Sequence, residues 1–209
     1  MEFLNIVKDL VHQYDGNIVR RKNNTLLLGP GHIPKCEHML FARLPRQLYE
    51  EHLIKQYKNK FPEEYLYLLE HINGADFHWL RINMENGDGF AYSLLTIFGL
   101  PITPPFARAM DMEEPFDVRI EDLNRTVSTP DSWLKFGQYI YDLPTDEIRD
   151  LYIDTETGRV MACLKKKKLG KNKIIQEWDN MDLCLCEVFR YTAKHWEEYR
   201  TNQGTVRNH

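Results

Sequence analysis

Two histidines and a cysteine form the most reactive grouping in the sequence: His32, Cys36 and His38. Imidazole nitrogens and thiolates are the usual protein ligands of zinc, so these side chains could begin a zinc site. A complete structural site needs a further ligand, and none lies nearby. Cys184 and Cys186 are poor candidates, because side chains two residues apart on a helix point to different faces. We therefore expect loop histidines beside a small buried thiol, and no bound metal.

The sequence contains no motif typical of other catalytic sites. The serines are Ser93, Ser128 and Ser132, and none lies in a Gly-x-Ser-x-Gly nucleophile elbow. The glycine-containing segment GPGHIP (29–34) matches neither the Walker nor the dinucleotide-binding loop. Cys163 falls inside a predicted strand and is most simply a core residue. We predict no catalytic residue, no cofactor and no enzymatic activity.

The charge balance does not favour nucleic acid or anionic membrane as a partner, since 27 basic and 31 acidic residues give a formal charge of −4. The one feature favouring nucleic acid is a lysine run at 165–168, continued by Lys171 and Lys173. No aromatic side chain is interleaved to stack on bases, so we interpret the run as a solvated turn. The segment 111–122 is acidic instead. It is either an exposed charged loop or an interface that would complement a basic partner.

Composition is typical of a soluble globular protein, with 43% hydrophobic and 28% charged residues among 209. This length suits one domain, or one domain with an appendage. The sequence has no apolar stretch long enough to cross a bilayer, and its N-terminus lacks the features of a signal peptide. Four cysteines are too few for a disulfide scaffold. We expect a cytoplasmic protein with reduced thiols.

Three helical patterns are indicated in the first half. Residues 1–15 place apolar side chains at helical spacing, and a hairpin is predicted over 18–28. We interpret 1–44 as an N-terminal helix–hairpin extension. A second helical pattern follows Leu44-Pro45 and runs through Leu48, Leu53 and Tyr57. The third helix lies in FPEEYLYLLEHING (61–74), where the acidic pair Glu63 and Glu64 complements the positive end of the helix dipole. That position explains the pair without acid–base catalysis.

Strand-like segments dominate the rest of the chain up to a closing helix at 182–199. They lie at 77–82, 90–95, 133–143, 150–154, 159–164 and 174–178, with a long loop predicted over 99–131. This order of elements predicts an α+β fold, an antiparallel sheet of about five to six strands covered by helices. We assign it to residues 45–200 and expect 201–209 to be a frayed tail.

Four motifs occur in the order found in one known family. They are FPEEYLYLLEHING (61–74), WLKFG (133–137), LYIDTETGRVMACL (151–164) and EWDNMDLCLCEVF (177–189). The chain from about residue 45 to 198 thereby resembles the SUKH superfamily, whose founding members include a fungal regulator of cell-wall synthesis. The resemblance implies that the recurring residues hold the fold; here they are Trp133, Phe136, Gly137, Asp154 and Trp178.

The resemblance also implies a binding function without a catalytic constellation. Many bacterial members resemble immunity proteins that neutralise a cognate polymorphic toxin, frequently a nuclease, whereas fungal members act in signalling. We therefore expect stoichiometric binding of a cognate toxin such as a basic nuclease. A regulatory or scaffolding module is the alternative, and a metal-dependent enzyme centred on His32, Cys36 and His38 is the third hypothesis. The predicted contact residues are the acidic side chains of 111–122 and two tyrosines expected to be exposed: Asp111, Glu113, Glu114, Asp117, Glu121, Asp122, Tyr139 and Tyr141.

Overall fold

The computed structural model describes residues 1–21, 24–30, 36–41, 47, 62–83, 89–99, 130–145, 147–165 and 172–206. Within these residues lie three helices: α1 (Glu2–Gln13), α2 (Glu63–Leu69) and α3 (Met181–Val206). The same residues contain nine strands, β1 to β9: Ile18–Arg20, Leu26–Leu28, His38–Leu40, Ala75–Asn83, Gly89–Ile97, Trp133–Asp142, Glu147–Asp154, Val160–Lys165 and Asn172–Trp178.

All nine strands belong to one open antiparallel sheet in which spatial order follows chain order. The α+β prediction is confirmed, but the predicted count of five to six strands is too low. The hairpin of β1 and β2 joins the main sheet through β3, which pairs with both β2 and β4. The three residues of β3 were not predicted as a strand, since so short a run after a Gly/Pro-rich segment has no clear alternation.

The helices and the sheet enclose one apolar core that includes α1. Phe3 is fully buried, and its ring makes edge-to-face contacts with Phe77 of β4 and Phe189 of α3, each with ring centroids 6.0 Å apart. Leu4 and Val7 belong to the same core cluster. The described part of residues 1–44 therefore shares the sheet and the core of the later elements, while the boundary at residue 44 stays a prediction.

Carboxylates from neighbouring elements cap two of the helices. Asp182 of α3 accepts hydrogen bonds from the backbone N–H groups of Glu2 and Phe3, at 2.7 and 2.9 Å. Glu64 of α2 accepts one from the N–H of Met181 at 2.8 Å. Such N–H groups have no partner within their own helix, and a negative charge there also suits the helix dipole. Glu64 thus stabilises the start of α3 as well as lying in the first turn of α2.

The residues singled out by the family motifs make contacts inside the fold. Phe136 is fully buried, and a Cβ on Gly137 would lie 2.7 Å from the carbonyl oxygen of Thr96. The indole N–H of Trp178 donates to Glu187 at 2.6 Å. Glycine is required at 137 because β5 approaches its backbone too closely for any side chain.

The closing helix is longer than its pattern indicated. It was predicted to end at residue 199, and α3 runs to Val206, so residues 201–206, predicted as part of a frayed tail, are helical. The Thr201 hydroxyl bonds back to the carbonyl oxygen of Glu197 at 2.9 Å. None of the helices in the described ranges combines the length and apolarity needed to span a bilayer.

Candidate functional site

The structure describes two of the eight predicted contact residues, Tyr139 and Tyr141. The acidic ones lie outside the described residues, as do His32 and positions 166–171 of the lysine-rich turn. Those that cannot be placed are Asp111, Glu113, Glu114, Asp117, Glu121 and Asp122. Their assignment therefore stays a prediction.

Tyr139 was expected to be exposed, and the structure corrects this: only 3% of the residue is exposed. The cause is a β-bulge in β6, where the register with β7 shifts between Lys135 and Gly137. An extra residue in a strand reverses which side chains face the core. Leu134 and Tyr139 consequently both face the helices, although strict alternation would place them on opposite faces. Tyr139 is a core residue and not an exposed contact.

Tyr141 is 39% exposed, as expected, and its ring is held in place by two neighbours. The Tyr191 ring of α3 stacks on it at an interplanar angle of 2°, with centroids 5.3 Å apart. The guanidinium carbon of Arg149, from β7, lies 3.1 Å from the centroid of Tyr141. Arg149 also forms an ion pair with Glu147 at 2.8 Å. The Tyr191 hydroxyl donates to the carbonyl oxygen of Tyr141 at 2.6 Å, which ties β6 to α3.

We call Tyr141, Arg149, Tyr191 and His195 the Tyr141 surface. The His195 ring meets the Tyr191 ring edge-on at 4.4 Å. Burial raises the pKa of Tyr191 to about 12, so its phenol keeps its proton and donates. The cluster presents the partly exposed ring of Tyr141, supported by the mostly buried Arg149; tyrosine and arginine are among the residues enriched at the centres of protein interfaces.

A second polar cluster lies where β3 and β4 meet α1 and α3. Met39 pairs with Asp76, and the backbone N–H of Trp79 donates to the carbonyl oxygen of Glu37 at 2.9 Å. Two steps along the β3 segment, from Met39 to Glu37, therefore correspond to three steps along β4. His78 is therefore an extra residue on β4, and its φ is +58°. The bulge leaves its backbone N–H without a carbonyl acceptor on β3, and that N–H donates to Nδ1 of His38 at 3.1 Å.

The other atoms of this cluster continue the chain of hydrogen bonds. Nε2 of His38 lies 3.2 Å from the Tyr14 hydroxyl, which donates to Glu37 at 2.5 Å. Arg200 of α3 pairs with Glu37 at 3.1 Å. Nδ1 of His78 lies 3.0 Å from the Thr192 hydroxyl. We call Tyr14, Glu37, His38, His78 and Arg200 the histidine network.

The histidine network is unsuited to acid–base catalysis. Burial, with the neighbouring His78 and Arg200, lowers the pKa of His38 well below its usual value, and burial lowers that of His78 to about 3. Both histidines are nearly inaccessible, at 1% and 2% exposure. Both ring nitrogens of His38 lie within hydrogen-bond distance of groups in the fold, which argues against its role in the zinc site considered above.

The thiols are also unsuited to nucleophilic chemistry. Cys36, Cys163, Cys184 and Cys186 are all buried, and none of the four forms a disulfide. Burial raises the pKa of Cys163 to about 12 and that of Cys186 to about 11, so the reactive thiolate is scarce near neutral pH. Within the described part of the chain, no group of three or more His, Cys, Asp or Glu residues is placed to hold a metal ion.

Sequence reasoning missed Arg149 and Tyr191. Tyr191 and His195 are spaced four residues apart on the closing helix, which places them on one helical face and could have marked an exposed aromatic pair. Arg149 gave no signal, because its contact with Tyr141 depends on the register in which β7 pairs with β6, where Arg149 lies opposite Tyr139. Comparison with protein-family models, with curated proteins and with solved structures finds no match to this chain.

Proposed function

We propose that this protein is an immunity protein that neutralises a cognate toxin by stoichiometric binding, and that Tyr141 is a central contact. The observation that carries the proposal is the Tyr141 surface, where a partly exposed aromatic ring is fixed by Arg149 and Tyr191. The toxin as partner rests on the resemblance of the four motifs to the SUKH superfamily.

The fixed geometry of Tyr141 favours protein binding. An interface loses free energy when it must immobilise flexible side chains, roughly 0.5–1.5 kcal/mol for each. The ring of Tyr141 is already held between β6, β7 and α3, so little of this loss remains when a partner covers its exposed edge. Tyrosine and arginine are also the side chains that most often dominate binding energy.

The charge of the partner is inferred from the acidic segment 111–122. Six carboxylates and one arginine in this segment give a strongly negative stretch of chain. Such a stretch would attract the basic substrate groove of a nuclease and would increase the association rate at low salt. A basic nuclease toxin is therefore the partner class we favour.

The experiment begins by capturing partners from the native host on the immobilised full chain and identifying them by mass spectrometry. Binding of the captured protein is then measured by calorimetry for the wild type and for Tyr141→Ala. We expect the variant to bind about 30-fold more weakly, which corresponds to a contact of about 2 kcal/mol. Reversing charge at Glu113 and Glu114 should slow association most strongly at low salt.

The matched control is Tyr67→Ala. Tyr67 is a tyrosine of α2 with 45% exposure, similar to that of Tyr141, and it lies outside the Tyr141 surface. Its replacement should leave affinity unchanged. Equal affinity of the wild type and a correctly folded Tyr141→Ala variant would remove the Tyr141 surface from the proposal. Capture of a cellular regulator instead of a toxin would favour the regulatory alternative.

A further inference from the structure

The histidine network joins the first part of the sheet to the rest of the molecule. Tyr14 follows α1, Glu37 and His38 belong to the segment that forms β3, His78 is the bulged residue of β4, and Arg200 lies on α3. The direct ladder between β3 and β4 pairs Met39 with Asp76 and Leu40 with Ala75, and backbone hydrogen bonds of Glu37 and Phe41 extend it at either end. By contrast, β6 and β7 share eight paired positions. The network adds side-chain hydrogen bonds and an ion pair to this backbone attachment of β3.

The hydrogen bonds of the network can run in only one direction from donor to acceptor. The backbone N–H of His78 can only donate, so Nδ1 of His38 must carry a lone pair. The proton of a neutral His38 is then on Nε2, where it is donated to the Tyr14 oxygen, and Tyr14 donates its own proton to Glu37. A second proton on His38 would place an Nδ1–H against the N–H of His78. The folded arrangement is incompatible with a protonated His38.

We propose that the histidine network is an acid-opened latch, in which protonation of His38 releases β1–β3 and the end of α1 from β4 and α3 while β6–β9 stay folded. The latch is a property of the fold and is independent of the identity of the partner.

Most charged groups around His38 favour its neutral form in the folded state. Arg200 and His78 disfavour a proton on His38, as does burial. The Glu37 carboxylate would favour one, but it already binds Tyr14 and Arg200. Burial and the Glu37 carboxylate raise the pKa of Tyr14, and the negative charge of Glu197 on α3 adds to this effect. On the other face of β4, Asp76 accepts hydrogen bonds from Ser93 and Thr96.

The sign of the pH dependence follows from the lowered pKa of His38. The folded state binds a proton less readily than the opened state, where histidine titrates near its ordinary value of about 6.5. Opening therefore takes up a proton and becomes more favourable as pH falls below that value. For one histidine, the opening equilibrium should rise about 25-fold between pH 7 and pH 5.

Hydrogen exchange followed by mass spectrometry tests the latch in the full chain. Protection factors, corrected for the chemical exchange rate, are compared between pH 7 and pH 5 for peptides covering β2–β3 and β7–β8. We expect protection of β2–β3 to fall about 25-fold, or more if His78 also becomes protonated, while β7–β8 keeps its protection. An equal fall in both regions would show global unfolding and would overturn the proposal.

A variant links the change to His38. His38→Asn offers an amide oxygen in place of Nδ1 and does not titrate in this range, so the fall in protection of β2–β3 between pH 7 and pH 5 should shrink by about 25-fold, the contribution of His38. His12→Asn, at an exposed position of α1, should retain the wild-type response. A folded His38→Asn variant that loses as much protection in acid as the wild type would also overturn the proposal. If this variant does not fold, the comparison of protection between β2–β3 and β7–β8 in the wild type decides whether the latch exists.

Discussion

Replacing Phe3 by alanine tests whether α1 is part of the main folding unit. Phe3 is fully buried, and its ring meets Phe77 and Phe189 edge-on. Truncating a buried phenylalanine to alanine removes its transfer free energy and leaves a cavity, which together destabilise a protein by about 3–5 kcal/mol. Edge-to-face aromatic pairs contribute about 0.5–1.5 kcal/mol each beyond buried area, so the upper part of this range is expected.

The loss is measured by urea unfolding, monitored by both tryptophan fluorescence and far-UV circular dichroism. We expect the free energy of unfolding to fall by about 4 kcal/mol with an unchanged m-value, and Tm to fall by roughly 8–16 °C. The two probes should give one coincident transition. Asn5→Ala, at an exposed position of the same helix, should change stability by less than about 0.5 kcal/mol.

Two outcomes would refute the reasoning. A loss below about 1 kcal/mol would mean that the Phe3 site is not a fully packed core position. An early transition that removes only α1 would mean that residues 1–44 fold as a separate extension, as the sequence pattern predicted. Either result would show that the shared core of α1, β4 and α3 is weaker than its burial indicates.

Two further predictions concern the cysteines and the helix cap. The four thiols should resist iodoacetamide near pH 8 until denaturant is added. The reason is that burial raises the pKa of Cys163 to about 12 and that of Cys186 to about 11. Rapid labelling of Cys163 in the folded protein, detected by mass spectrometry, would contradict this prediction. Asp182→Asn should lower the free energy of unfolding by about 1–2 kcal/mol, since it removes the negative charge at the start of α1. The exposed neighbour Asp179, changed in the same way, should have little effect, and equal losses in the two variants would argue against the cap.

Local patterns predicted the elements whose signals lie within a few residues. The helix beginning after Pro62 is marked by that proline and by the acidic residues of its first turn, which are local features. The hairpin of β7 and β8 is marked by apolar runs on either side of a turn in which Gly158 has a positive φ. These elements form in the structure at the expected positions, within a few residues.

Features that depend on pairing between distant strands were not predictable in this way. The bulge in β6 adjoins Gly137, whose backbone lies close to that of Thr96, far away in sequence, and it reverses the burial expected for Tyr139. The bulge at His78 depends on His38. The irregular pairing leaves the backbone N–H of His78 without a carbonyl acceptor, and Nδ1 of His38 accepts that hydrogen bond instead. Gly137 is a local signal for the bulge in β6, since an isolated glycine in a strand often marks one, whereas the bulge at His78 has no such residue in its own strand.

The caps that join α1 to α3 have a consequence for synthesis on the ribosome. The N–H groups of Glu2 and Phe3 bind a carboxylate 180 and 179 positions further along the chain, whereas each strand of the sheet pairs with the next one made. The sheet can therefore assemble progressively as the chain emerges, but α1 lacks its final neighbour until α3 has been translated. Throughout that interval the apolar side chains Phe3, Leu4 and Val7 lack the α3 contacts that they have in the folded protein, which leaves α1 open to aggregation.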